Sequence, residues 1–277
     1  MRLVLAAIFA ALTSVTAVAQ EDQSSDLTKI MTAYDAQGWE GVGRLNIGWG
    51  GMCTGALISP RIVLTAAHCA FNARSGDLME AEDIVFHAGF RNGRATASRR
   101  VGRIVIHPDY VFTGTEAAGH VAHDLALFEL TSEIRLPNVN PFNTAKRPRK
   151  GQAVGVVSYA HDRSDSPSIQ EVCHVLARQR GTLVLSCNVD FGSSGAPIFA
   201  FEDGQARIVS VVSAKAEVRG RKVALGTNLE KPLSEMMSIL NSGGSGPRIV
   251  AAPEVRIIRP STTRQLSGKE GAKFLRP

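Results

Sequence analysis

The sequence predicts an all-β fold, two groups of short strands followed by a single C-terminal helix. Three observations carry this. From about Gly41 the chain is a succession of short apolar or β-branched runs broken by turn residues, with no helical stretch between them. A gap from about Pro137 to Gly151, rich in Pro, Lys, Arg and Asn, divides the runs and predicts a linker between two β subdomains. Leu233, Met236, Met237 and Leu240 recur at i, i+3, i+4 and i+7, which is the apolar stripe of one helix.

Along the chain, MRLVLAAIFAALTSVTAVAQ comes first: one basic residue, an apolar run, then Ala17-Val18-Ala19. This is the pattern of a secretory signal peptide over 1–19, cleaved after Ala19. A membrane anchor fits less well, because Thr13, Ser14 and Thr16 interrupt the run and no strong basic stop follows. No later segment has 18 consecutive apolar residues, so no stable membrane insertion is expected. EDQSSDLTK is polar and expected to be loose, and 20–40 is a candidate short propeptide. The strand runs are CTGALI, RIVLTA, DIVFHAGF, RRVGRIVIH and DLALFEL before the linker. After it come QAVGVVSYA, EVCHVLA, GTLVLSC, APIFAF, ARIVSVVSA and KVALGTNL. The helix is expected over 231–240, with Pro232 in its first turn and Asn241-Ser242-Gly243-Gly244 as its stop. The main domain is thus 41–241, and 242–277 reads as a basic tail of low order.

The formal net charge of +6 is concentrated at the end of the chain. Beyond residue 240 seven basic residues face two acidic ones, and Arg2 leaves with the signal, so 20–240 is close to neutral. Nucleic-acid binding is therefore not expected of the main domain. The tail could contact an anionic envelope surface. Export makes disulfides the natural reading of the four cysteines, which allow three pairings. Zinc held by Cys53, Cys69, Cys173 and Cys187 is disfavoured, since no close CxxC pair occurs. No metal and no cofactor is expected.

DFGSSGAP places Ser193 and Ser194 among turn-forming residues, and either could be a nucleophile if a base and an orienting acid exist elsewhere. His68 stands out in LTAAHC, where small residues follow an apolar strand. Cys69 can pin that turn, and Cys53 begins the neighbouring strand, close enough in sequence for a Cys53–Cys69 bridge. Asp124, in VAHDLAL, precedes an apolar strand and can be held partly buried, where its carboxylate would accept the Nδ1 proton of a histidine. His123 beside it points elsewhere. His87, His107, His120, His161 and His174 read as surface or structural residues.

These residues, in the order His68, Asp124, Ser194 at spacings of 56 and 70, resemble the trypsin/chymotrypsin-like serine peptidases. The likeness is strongest to a bacterial secreted branch that includes glutamyl-endopeptidase-like proteases. TAAHC is similar to the family's base motif, HDLAL to its aspartate motif and GSSGAP to its nucleophile motif, and the likeness spans roughly 42–240. The resemblance implies two Greek-key β-barrel subdomains with the active site between them. It also implies a monomeric secreted or periplasmic endopeptidase acting on protein or peptide substrates through an acyl-enzyme. In this register Ser194 is the nucleophile, and the N–H groups of Gly192 and Ser194 form the oxyanion hole. Cys173–Cys187 is the second disulfide.

The sequence departs from the family pattern at two places. Ser193 stands where an acidic residue would pair with a freed N-terminus. The resemblance to non-zymogen bacterial members implies that neutral hydrogen bonds and packing hold the hole instead. In the same register Asn188 and Val189 form the base of the primary specificity pocket. Ser213, Ala214 and Lys215 form one wall, with Leu225, Gly226 and Thr227 opposite. Asn188 removes the carboxylate that would bind Arg or Lys. Val189 replaces the small hydroxyl residue of the glutamyl-specific branch, and no histidine marks the wall. A neutral side chain of modest size is the expected substrate preference.

Overall fold

The structure is a computed structural model that describes residues 24–114, 121–242 and 273–274. The proposed signal peptide (1–19), His120 and most of the basic tail lie outside the described residues.

The strands begin with β1 (Thr28–Lys29), β2 (Val42–Ile47), β3 (Gly51–Ser59) and β4 (Ile62–Thr65). β5 (Ile84–Ala88), β6 (Ala97–Ile106) and β7 (Ala126–Leu130) follow. Beyond the linker run β8 (Ala153–Ser158), β9 (Ser168–Gln179), β10 (Thr182–Leu185), β11 (Pro197–Glu202), β12 (Gln205–Val218) and β13 (Arg221–Asn228). The helix α1 (Glu230–Asn241) and the two-residue β14 (Lys273–Phe274) complete the described elements. Each of the eleven runs picked out from the sequence is a strand. β2 was not among them: VGRLNI puts Val42, Leu45 and Ile47 inside, but Gly43 and the flanking glycines obscure its alternation.

Antiparallel pairing closes β2-β3-β4-β7-β6-β5 into one barrel. The second closes through β9-β10-β13-β12-β11-β8, with β8 returning to pair β9. Closure removes the sheet edges that would otherwise be left unpaired. Each barrel is filled from its own strands, with Leu45, Phe86 and Phe128 inside the first and Val156, Leu185 and Ile198 inside the second.

The joint between the barrels is also packed. The stretch between β7 and β8 is the expected linker and is packed along its length: Phe142 N–H donates to Leu57 O at 2.8 Å and Ala145 N–H to Ile208 O at 2.9 Å. Its Phe142 ring meets Trp39 at 6.1 Å and Phe199 at 4.8 Å, so three distant segments share one aromatic cluster. The helix α1 crosses back to the first barrel, burying Met236 and Leu240, and Arg103 of β6 donates to Leu240 O at 2.9 Å. That bond satisfies one of the carbonyls left free at a helix C-terminus.

The polar stretch before Gly41 is docked rather than loose. β1 pairs with β9, Ser25 N–H donates to Val172 O at 2.8 Å, and Ile30 is buried. The reason lies in β9, whose long edge offers backbone groups that a short strand can satisfy. In the tail, Lys273–Phe274 pairs with β12 at Ala216 and Glu217.

Candidate active site

β4 ends at Thr65 and the 3₁₀ turn Ala67–Ala70 carries His68. Ala66, Ala67 and Ala70 are fully buried, so only small side chains let this turn lie flush on the barrel. The disulfide Cys53–Cys69, with an S–S distance of 2.01 Å, ties the turn to β3. Cys173–Cys187 links β9 to the segment that leads toward the serines.

Asp124 follows the 3₁₀ turn Val121–His123, immediately before β7. Its Oδ1 accepts His68 N–H at 2.9 Å and its Oδ2 meets His68 Nδ1 at 2.8 Å. Only 4% of the Asp124 side chain is exposed, against 23% for His68. Burial pushes the Asp124 carboxyl up, but the charge and hydrogen bonds of His68, with the hydroxyl of Ser213, outweigh it and hold it below the ordinary value. An ionised carboxylate only accepts, so the proton between the pair belongs to His68 Nδ1 and the lone pair of neutral His68 lies on Nε2.

Ser213 was expected as a pocket wall, yet its hydroxyl donates to Asp124 Oδ2 at 2.5 Å. The cause is a bulge. β12 pairs Val212 with Gly226 and Ala214 with Leu225, which leaves Ser213 as the extra residue and re-aims its side chain. Thr227 of β13 also reaches across, donating to Val121 O at 2.7 Å and approaching Asp124 O at 3.2 Å. The second barrel thus fixes an aspartate that the first barrel carries.

The serines lie on a tight loop between β10 and β11, where Ser193 N–H donates to Asp190 O at 2.9 Å. Two glycines on it have positive φ, +96° at Gly192 and +78° at Gly195. A Cβ on Gly195 would stand 2.0 Å from Thr65 Oγ1 and 2.2 Å from Thr54 O, so this loop can seat against the His68 turn only with glycine there. Gly195, which follows Ser194, thereby lies against Thr65 and Ala66, the residues that lead into the His68 turn.

Thr54 joins the two regions, a role with no sequence signal beyond its place after Cys53. Fully buried, it donates its N–H to Ser194 O at 2.8 Å and its hydroxyl to Gly192 O at 2.9 Å. Its own carbonyl accepts the Thr65 hydroxyl at 2.9 Å. The peptide preceding Gly192 is fixed as well, because Phe191 O accepts His161 N–H at 2.8 Å. In a trans peptide the Gly192 N–H therefore points away from His161. Among the described residues, neither Gly192 N–H nor Ser194 N–H donates to another protein group.

Ser193 is buried, with its hydroxyl 3.2 Å from both Ser158 Oγ and Tyr159 O. It also accepts from Asp190 N–H and from the Arg163 guanidinium, each at 3.3 Å. Arg163 was not foreseen from the sequence. Its side chain is 10% exposed, and burial pulls its pKa down against the influence of Asp162 and Asp190.

The recess beside Ser194 is lined by Val189, Asp190, Phe191, Val212, Ala214 and Lys215. Of the residues expected to shape it, Val189, Ala214 and Lys215 are there. Asn188 is exposed, with its N–H tied to Gln170 Oε1 at 2.7 Å. Leu225 is buried in a cluster with Val121, and a Cβ on Gly226 would meet Ser210 and Ile198 inside the second barrel.

Two of the other histidines have clear structural partners. His87 sits between Ser98 and Asn46. His107 Nδ1 accepts Asp109 N–H at 3.2 Å while Nε2 faces Glu235 at 3.3 Å, so both of its nitrogens are engaged although Asp109 and His123 lie close by.

Comparison with known proteins agrees with this architecture. The chain is similar to Serine protease SSP1 of Scolopendra subspinipes, 28% identical over 99 residues covering 34% of this chain and 30% of that protein. It is also similar to Venom serine protease Bi-VSP of Bombus ignitus, 34% identical over 87 residues covering 30% of this chain and 21% of that one. The matched stretch thus spans less than a third of the length of either relative. Among solved structures, a Glu endopeptidase in complex with MPD superposes with a TM-score of 0.63 at 18% identity, over 80% of this chain and 99% of that one. The thermostable serine protease AL20 from an extremophilic microorganism gives 0.59 at 16% identity, over 74% and 98%. At these identities the likeness shows the fold. The family model described as Trypsin-like peptidase domain matches residues 53–207, more than half of the sequence, and the chain belongs to that family.

Proposed function

We propose that the chain is a secreted serine endopeptidase that cleaves protein or peptide substrates with Ser194 as nucleophile, His68 as base and Asp124 as the orienting acid. The observation that carries this reading is the double hold of Asp124 on His68, through the backbone N–H and through Nδ1. A histidine held this way keeps the lone pair of Nε2 available to take a proton from a hydroxyl. Ser194 Oγ attacks the scissile carbonyl carbon and its proton passes to His68 Nε2. Negative charge then develops on the carbonyl oxygen, and the N–H groups of Gly192 and Ser194 are the donors that meet it. His68 returns the proton to the leaving amine, the acyl-enzyme forms, and water repeats the sequence to release the acid.

Family membership and the glycine-dependent seating of the loop support this reading. Hydrogen bonds around Ser193 supply the order that a salt bridge to a freed N-terminus would otherwise provide, so no activating cleavage is needed. Two disulfides are consistent with export and with removal of 1–19. Purified mature protein treated with a fluorophosphonate should carry the adduct at Ser194 by peptide mass spectrometry. His68→Ala should abolish it. Folded protein that resists the probe, or an adduct elsewhere, would sink the proposal.

A further inference from the structure

The recess beside Ser194 is nearly full. Its cavity volume is about 10 Å³, room for a single water at most. The residues that fill it are identifiable. Lys215 leaves β12 just past the Ser213 bulge and sets its Nζ 2.7 Å from Asp190 Oδ1 and 3.2 Å from the centre of the Phe191 ring. All three line the recess. The Lys215 side chain is only 18% exposed, so its stem lies along the wall while its ammonium is held by a carboxylate and an aromatic face. The pairing is local to the site, since Asp190 and Phe191 stand on the same loop as Ser194.

We propose that Lys215 and Asp190 form a latch that sets the size of the substrate side chain next to the scissile bond. This rests on the peptidase reading above. With the latch closed, only Gly, which has no side chain, or the methyl group of Ala fits. Larger groups enter only when Lys215 leaves both Asp190 and Phe191. An acidic substrate gains little from the ammonium, because Asp190 already holds it and a second carboxylate would be brought close to the first. The latch therefore acts by size, whereas an unpaired lysine at the same place would select by charge. Each methylene that a pocket accepts or rejects is worth roughly tenfold or more in kcat/KM.

The test uses the full mature chain, Lys215→Ala and Asp190→Asn, with peptides that differ only in Ala, Leu, Phe or Glu before the scissile bond. Active sites are titrated with a fluorophosphonate that carries no amino-acid side chain. The wild-type chain should prefer Ala over Leu and Phe by at least tenfold in kcat/KM. Lys215→Ala should raise the Phe-to-Ala ratio at least tenfold. Asp190→Asn, which frees Lys215 without shortening it, should move the ratio in the same direction by less. Thermal unfolding of each variant checks that it is folded. Equal cleavage after Ala and Phe by the wild-type chain, fastest cleavage after Glu, or variants that keep the wild-type order would overturn the latch. If the titrant fails to react with the wild-type chain, the peptidase reading falls and takes the latch with it. Titration at Ser194 with a flat side-chain profile removes the latch alone.

Discussion

Asp124 is the residue on which most of the proposed chemistry converges. It is nearly excluded from water, yet it accepts hydrogen bonds from His68 N–H, His68 Nδ1 and the Ser213 hydroxyl. Those partners more than offset the burial that opposes its charge and hold its pKa below the ordinary carboxylate value. A carboxylate with a depressed pKa contributes stability that is fully present above the unfolded value and is lost as pH falls through the folded one. Replacing it with Asn should therefore flatten the loss of stability in acid, which urea titrations from about pH 5 to about pH 2 would read. The same substitution should lower kcat by about 10⁴-fold, because an amide turned to donate favours the wrong imidazole tautomer. An acid limb as steep as that of the wild-type chain would show that Asp124 does not carry the proton linkage. Much of this was legible in the sequence: TAAHC and HDLAL single out His68 and Asp124 before any coordinates. The bond from Ser213 to Asp124 was not foreseen, since a bulge depends on the pairing of two strands and one strand's residues do not announce it. Thr54 and Arg163 were invisible for a related reason. Their partners are loop carbonyls and hydroxyls more than one hundred positions away for Thr54 and 30 for Arg163.

At the scale of elements, short apolar or β-branched runs bounded by turn residues found the strands, and the 3.6-residue stripe found α1 to within one residue at each end. The failures have a common cause. β1 and the stretch around Trp39 are polar or mixed in sequence, and they are ordered by what they dock onto. Ile30 is 1% exposed, and the Trp39 ring stands 5.1 Å from Phe199. These contacts bear on whether the segment before Gly41 is a removable propeptide. A chain beginning at residue 41 would lose the burial of Ile30 and Trp39, about 3 kcal/mol by side-chain transfer. In a domain of this size its Tm should fall by about 6–12 °C. A shortened chain that melts with the full one would mean that the segment contributes nothing and is free to be trimmed.

At the scale of the whole molecule, each barrel supplies part of the proposed site and neither holds it complete. The first carries His68 and Asp124; the second carries Ser194 and reaches back through Ser213 and Thr227. A misplacement of about 1 Å can cost about a hundredfold in rate, so the joint between the barrels matters as much as either core. The two disulfides brace different sides of that joint. Cys53–Cys69 closes a span of 16 residues and Cys173–Cys187 one of 14, so chain entropy gives each about 3 kcal/mol of stability. Their effects on turnover should diverge. Cys69 adjoins His68 and Cys53 adjoins Thr54, which holds Ser194 and Gly192; Cys187 leads instead into the segment that forms the recess. Replacing Cys53 and Cys69 together by Ala should therefore lower kcat, with KM little changed. The corresponding change at Cys173 and Cys187 should raise KM and broaden the side-chain preference while kcat stays closer to wild type. Steady-state kinetics on both variants, at a temperature where unfolding curves show each to be native, separates the outcomes. If both pairs lowered kcat and KM alike, the bridges would be bracing the fold as a whole and would not be dividing the site between them.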